Sequence, residues 1–125
     1  MLLKNKKISQ LKKDLWTNVS KAIRLMSPIC DICKRNESEV VHHVIKKSKG
    51  NSIYFEMINL VALCKSCHYK VHNVWDHIDN RIWIDRILGD EVYLELKKQS
   101  KQIKKFTKSE LIEKIEYYKK LIKDL

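Results

Sequence analysis

The sequence predicts a mostly helical α+β domain: helices at both ends flank a small core of short strands and one helix, clipped together by cysteines. Three observations carry this. Apolar residues recur at three- and four-residue steps over long stretches that hold only 2 glycines and 1 proline. Four cysteines fall into two C-x-x-C pairs. A short β-branched run lies between the pairs.

The first element is a helix over residues 8–26. Ile8, Leu11, Leu15, Val19, Ala22, Ile23 and Met26 form one apolar face, while Lys12, Lys13, Lys21 and Arg24 lie elsewhere. Ser27-Pro28 ends it, since a residue before proline is pushed out of helical geometry. The pair Cys30 and Cys33 follows, then a polar turn to Ser38 and a strand over 39–44. Residues 46–51 (KKSKGN) make a basic turn, and Asn59-Leu60-Val61-Ala62-Leu63 leads into Cys64 and Cys67. Helix is expected from Cys67 to Trp75. Asn80 is the expected cap of a short helix ending at Gly89, and Asp90 the cap of another running through Val92 and Leu96. Thr107 with Glu110 three residues later is a capping box, with Phe106 and Leu111 placed to form its hydrophobic staple. Leu111, Ile115, Tyr118, Ile122 and Leu125 then give the last helix its packing stripe.

The 125 residues are read as one domain, with an N-terminal helix (1–27), a core (28–76) and C-terminal helices (77–125). A composition of 44% hydrophobic and 33% charged residues fits a soluble globular chain and argues against disorder. No stretch approaches the ~18 apolar residues of a membrane span, and the N-terminus lacks a secretory pattern, so no membrane is expected and the cytoplasm is the expected location. The formal net charge of +11 makes a polyanion the natural partner, with compositional bias toward lysine as the lesser alternative.

The cysteines say more. Without a secretory signal, paired knuckles point to one structural zinc held by Cys30, Cys33, Cys64 and Cys67. A redox C-x-x-C needs only one pair and leaves the other unexplained. Cys33 and Cys64 are 31 positions apart, longer than an ordinary zinc ribbon allows, so the ion clips the ends of an inserted unit. Four of the five histidines lie in this region. His68 and His72 share a helix face and can reach one ion at ~2.0–2.1 Å. Adjacent strand residues point to opposite faces, so only one of His42 and His43 can join them, and the other is left to act on water. Three imidazoles leave coordination positions open, as in a catalytic site.

The run Cys30-x-x-Cys33, His42-His43-Val44, Asn59-Leu60, Leu63-Cys64-x-x-Cys67-His68 and His72 resembles the HNH, or ββα-metal (His-Me finger), endonucleases. The 16-residue step from His43 to Asn59 and the nine-residue step to His68 match that pattern. The resemblance implies a ββα-metal core and a hydrolase that cuts DNA phosphodiester bonds. In that reading His43 is the general base, and Asn59 holds the loop and orients His43 through its side-chain amide. His42, His68 and His72 bind one catalytic divalent cation: Mg²⁺, Mn²⁺, Ni²⁺ or Zn²⁺. The loop after His43 supplies the best phosphate contacts, Lys46, Lys47 and Lys49.

More broadly, residues 11–125 resemble phage recombination nucleases of the NinG (Rap) type, through Ile84-Asp85-Arg86-Ile87-Leu88-Gly89, Val92, and the tail from Phe106-Thr107 to Leu121. That resemblance implies branched DNA as the substrate and a phage or prophage source. A homodimer would suit paired nicks. Trp16, Trp75 and Trp83 are expected in the core and His77 at the surface. The rival expectation is a zinc-knuckle module that binds nucleic acid without cutting it. The sequence separates the two only through the histidine and asparagine set, which binding alone does not need.

Overall fold

The computed structural model describes residues 2–46 and 52–125. Lys47 and Lys49, named above as phosphate contacts, lie outside the described residues. Among those described there are five α-helices and one two-stranded sheet: α1 (Ile8–Met26), β1 (Val40–His43), β2 (Leu60–Leu63), α2 (Lys65–Asn73), α3 (His77–Ile87), α4 (Asp90–Gln99) and α5 (Lys108–Asp124). None of these helices is long and apolar enough to cross a membrane.

The strands pair antiparallel, with Val40 opposite Leu63, Val41 opposite Ala62, His42 opposite Val61 and His43 opposite Leu60. β2 is buried along its whole length, and its alternation sends its side chains into two cores, with a third small cluster of Ile45, Ile53 and Leu96 beside them. Leu60 and Ala62 pack with Leu11, Leu15, Val19, Ala22 and Ile23 of α1 and Leu111, Ile115 and Tyr118 of α5. Val61 and Leu63 pack with Cys30, Cys64, Cys67, Val71, Trp83 and Ile84. The predicted stripes of α1 and α5 therefore meet each other, and the α5 stripe is packing surface. Only their outer ends stay open: Ile8 is 42%, Met26 40% and Leu125 57% exposed.

Three helix starts differ from the sequence expectation. α2 begins at Lys65, because the Cys64 sulfur accepts the Cys67 amide and caps the helix. α3 begins at His77, capped by Asp76 in a reciprocal box with Asp79. A carboxylate at the first position satisfies the orphan amides better than an asparagine a turn later. Asn80 instead sits inside α3, where its amide donates to the Val71 and Trp75 carbonyls and its oxygen accepts from the Trp83 indole at 2.8 Å. α4 is led by Gly89, whose φ of 87° lies in the region that favours glycine, so Asp90 is the first helical residue rather than the cap.

Candidate active site and zinc site

The first knuckle is fixed to β2 by a reciprocal pair: the Asp31 amide donates to the Ala62 carbonyl at 2.9 Å, and the Asp31 carboxylate accepts the Ala62 amide at 2.8 Å. Arg86 of α3 donates to the Ile32 carbonyl from the other side. The turn closes through Lys34, which takes a positive φ of 59°. This brings the sulfurs of Cys30, Cys33, Cys64 and Cys67 within 4.8 Å of one another, all as free thiols, with Cys33 and Cys64 at 4.0 Å. Sulfurs placed tetrahedrally ~2.3 Å from one ion stand roughly 3.8 Å apart.

The surroundings of Cys33 and Cys64 suit thiolates. The Asn36 and Arg35 backbone amides donate to Cys33 and bring its pKa down to about 6. Burial works against ionising Cys64, but the Cys67 amide at 3.3 Å and the Asn36 side chain outweigh it and its pKa falls. Cys67 is pushed up, first by burial and then by the neighbouring sulfurs Cys64 and Cys30. Four such sulfurs cannot all ionise side by side without a cation, and a zinc ion is the cation this donor set fits.

The alternation of β1 separates the two adjacent histidines. His42 shares the Val61 side of the sheet and faces α2, which carries His68 and His72 one turn apart. The ligating nitrogens of the three lie within 4.8 Å of one another, and the His68 and His72 Nε2 atoms are 3.0 Å apart. Two nitrogens each ~2.1 Å from one ion subtend about 3.0–3.4 Å, so the His68–His72 spacing suits a shared divalent cation, with His42 close enough to complete the set. The Trp83 indole stands edge-on behind His42 at 6.2 Å. Burial of the His42 ring, with repulsion from His72 and His68 added, holds its pKa at about 3. Burial likewise lowers that of His68, with His72 adding to it. Both shifts favour the neutral ring, the form a metal requires.

His43 faces the opposite way, toward α1. Its ring stacks on Trp16 with centroids 4.8 Å apart, and Tyr54 covers it at 4.4 Å. Its Nε2 lies 3.0 Å from the Tyr54 carbonyl. A carbonyl only accepts, so in the neutral ring Nε2 carries the hydrogen and Nδ1 is the basic nitrogen. Asn59 is completely buried. Its oxygen accepts the Ile45 amide at 2.8 Å, and its amide donates to the Ile45 and Ile53 carbonyls at 3.1 and 3.4 Å. The side chain therefore grips both ends of the loop after β1. Its link to His43 runs through the adjoining Tyr54 carbonyl, not through its own amide as the sequence reading had it.

A cleft of about 420 Å³ is lined by Trp16, His42, His43, Lys46, Tyr54, His68 and His72. Both kinds of imidazole border it, and exposed Lys46 stands at its edge. A second cleft of about 720 Å³ also borders His42, His43 and His72 and continues past His77 and Arg81 to Lys97. Residue reasoning placed Trp16 in the core and did not single out Tyr54. The stack is set by tertiary packing, and Tyr54 meets His43 through its ring and also through its backbone carbonyl, a contact no residue type signals.

Residues 30–74 match the family model described as HNH endonuclease. The matched segment opens at the first zinc-site cysteine and holds all four cysteines and the four histidines described above. That segment, about a third of the chain, is similar to HNH endonucleases. No curated protein and no solved structure matches the chain.

Proposed function

We propose that the protein is a metal-dependent endonuclease that hydrolyses phosphodiester bonds in DNA. One observation carries the reading: three imidazoles converge on one side of β1 while a fourth, His43, is held by stacking and a carbonyl on the other, with a cleft bordered by both sets. A binding module has no use for that division.

In this reading His42, His68 and His72 hold a divalent cation, which supplies charge neutralisation at the scissile phosphate and the departing 3′ oxygen. His43 accepts the proton of the attacking water at Nδ1, as the water oxygen bonds to phosphorus and the bond to the 3′ oxygen breaks. Tyr54 fixes the tautomer that leaves Nδ1 basic, and Asn59 fixes Tyr54 by holding the loop. Lys46 is placed to meet a neighbouring phosphate, and Lys47 and Lys49 extend that role. The Cys30, Cys33, Cys64 and Cys67 zinc fixes the start of α2, and so the two histidines that α2 carries.

Branched DNA is the first substrate to test, on the similarity to phage recombination nucleases, and the cytoplasm is the proposed place of action. A homodimer would pair two nicks. Plasmid DNA incubated with the protein and Mg²⁺, Mn²⁺ or Ni²⁺ should be nicked, and His43→Ala should abolish nicking while leaving DNA affinity within about twofold. Intact plasmid under every metal would instead favour the non-catalytic zinc-knuckle module.

A further inference from the structure

A groove of about 590 Å³ runs beside the cleft and is lined by Lys12, Lys13, Trp16, Thr17, Tyr54, Phe55 and Phe106. We propose that it holds one unpaired DNA nucleotide, its base against the aromatic wall and its phosphate on Lys12 and Lys13. This deepens the nuclease reading and rests on it for the substrate: the strand being cut would have an unstacked nucleotide next to the reacting phosphate.

Four features support this. The volume falls within the roughly 300–1,000 Å³ typical of small-ligand sites. The floor is aromatic and packed: Phe55 and Phe106 are buried edge to face, with centroids 5.6 Å apart, and Tyr54 meets Phe55 at 4.6 Å. The rim is cationic, with no acidic residue in the lining, and among the described residues neither Lys12 nor Lys13 is in an ion pair. Most decisively, Trp16 and Tyr54 line both this groove and the cleft at His42 and His43. A chain threading the cleft reaches the groove at the next residue. A paired base is stacked on its neighbours and offers only an edge, whereas an unpaired base offers a whole face, which is what an aromatic wall can use. Phosphate on the lysines then sets the direction of the strand.

The test is binding by fluorescence anisotropy with no added divalent metal, comparing a single strand, a blunt duplex and a duplex with a single-stranded flap. Lys12→Glu/Lys13→Glu should weaken single-strand and flap binding about tenfold or more and change duplex binding less than about twofold. Thr17→Trp fills the groove from an exposed helix position without altering charge, and should reproduce the selective loss. Equal losses on all three DNAs, or none on any, would overturn the proposal. The same variants are then assayed for plasmid nicking. Wild-type protein that nicks but shows no groove-dependent selectivity sinks the groove alone. Selective binding with no cutting under any metal keeps the groove and sinks the nuclease.

Discussion

The imidazole of His43 lies nearly parallel to the indole of Trp16, with 16° between the planes. Nineteen-residue α1 thus does more than close a core: it presses a flat surface on the residue proposed to take the proton. A stacked aromatic pair is worth about 0.5–1.5 kcal/mol, enough to restrict a ring that would otherwise rotate about its own side-chain bonds. Trp16→Ala should lower the single-turnover cleavage rate at saturating DNA by about tenfold to a hundredfold, as reacting groups lose alignment. Trp16→Phe, which keeps a flat ring there, should recover most of it. An unchanged rate in Trp16→Ala would remove the stack from the mechanism.

Asn59→Ala should destabilise the fold by about 2–4 kcal/mol, measured by urea unfolding. The substitution strands the Ile45 amide and the Ile45 and Ile53 carbonyls in a place water does not reach. Because Tyr54 follows Ile53, cleavage should fall further than stability under conditions where the variant is still folded. A variant as stable as wild type would show that the buried amide is not holding the loop.

These two residues mark what the sequence discloses and what it hides. Asn59 was legible because its spacing from His43 and His68 is a local, countable feature, as were the cysteine pairs and the Thr107–Glu110 capping box, which forms as read. Strand alternation disclosed that only one of His42 and His43 could meet α2, and the resemblance to HNH endonucleases implied that it was His42. Trp16 was not legible as a site residue. Its position on α1 is fixed by periodicity, but its partner 27 residues later is chosen by how α1 lies across β1. Asn80 misled for a related reason: asparagine favours caps locally, and here Trp83 and the end of α2 compete for the same amide.

Removing the zinc should unfold the core and not merely loosen it. Cys64→Ser takes away a zinc ligand while leaving a hydroxyl that can still accept the Cys67 amide and cap α2, so the change reports on the metal. The expected result is loss of one zinc per chain by native mass spectrometry, together with loss of dispersed amide resonances. Cys33→Ser, at the more exposed sulfur, should lose zinc with a smaller loss of structure. A zinc-free Cys64→Ser protein with a native spectrum would show that the two hydrophobic cores suffice without the metal.

The half-buried ring of His42 gives a pH dependence of defined sign. Burial is the main cause of its pKa of about 3, with His72, His68, His43 and Lys46 adding repulsion. An unfolded chain has this histidine near ~6.5. Between those values the unfolded state holds a proton that the folded state does not, so stability rises with pH across the window and is lost as pH falls below about 6.5. Each pKa unit corresponds to ~1.4 kcal/mol, so the loss is on the order of a few kcal/mol. Urea unfolding from about pH 7 to about pH 5, with no divalent cation added, should show a steeper fall for wild type than for His42→Phe, since acid release of the cysteine-bound zinc is common to both. Adding Ni²⁺ near neutral pH should raise the stability of wild type and leave His42→Phe nearly unchanged, because a ligand that binds only the folded state stabilises it. Parallel pH profiles for the two proteins would mean that the ring takes up its proton in the folded state, and that His42 is open to water instead of held neutral for a metal.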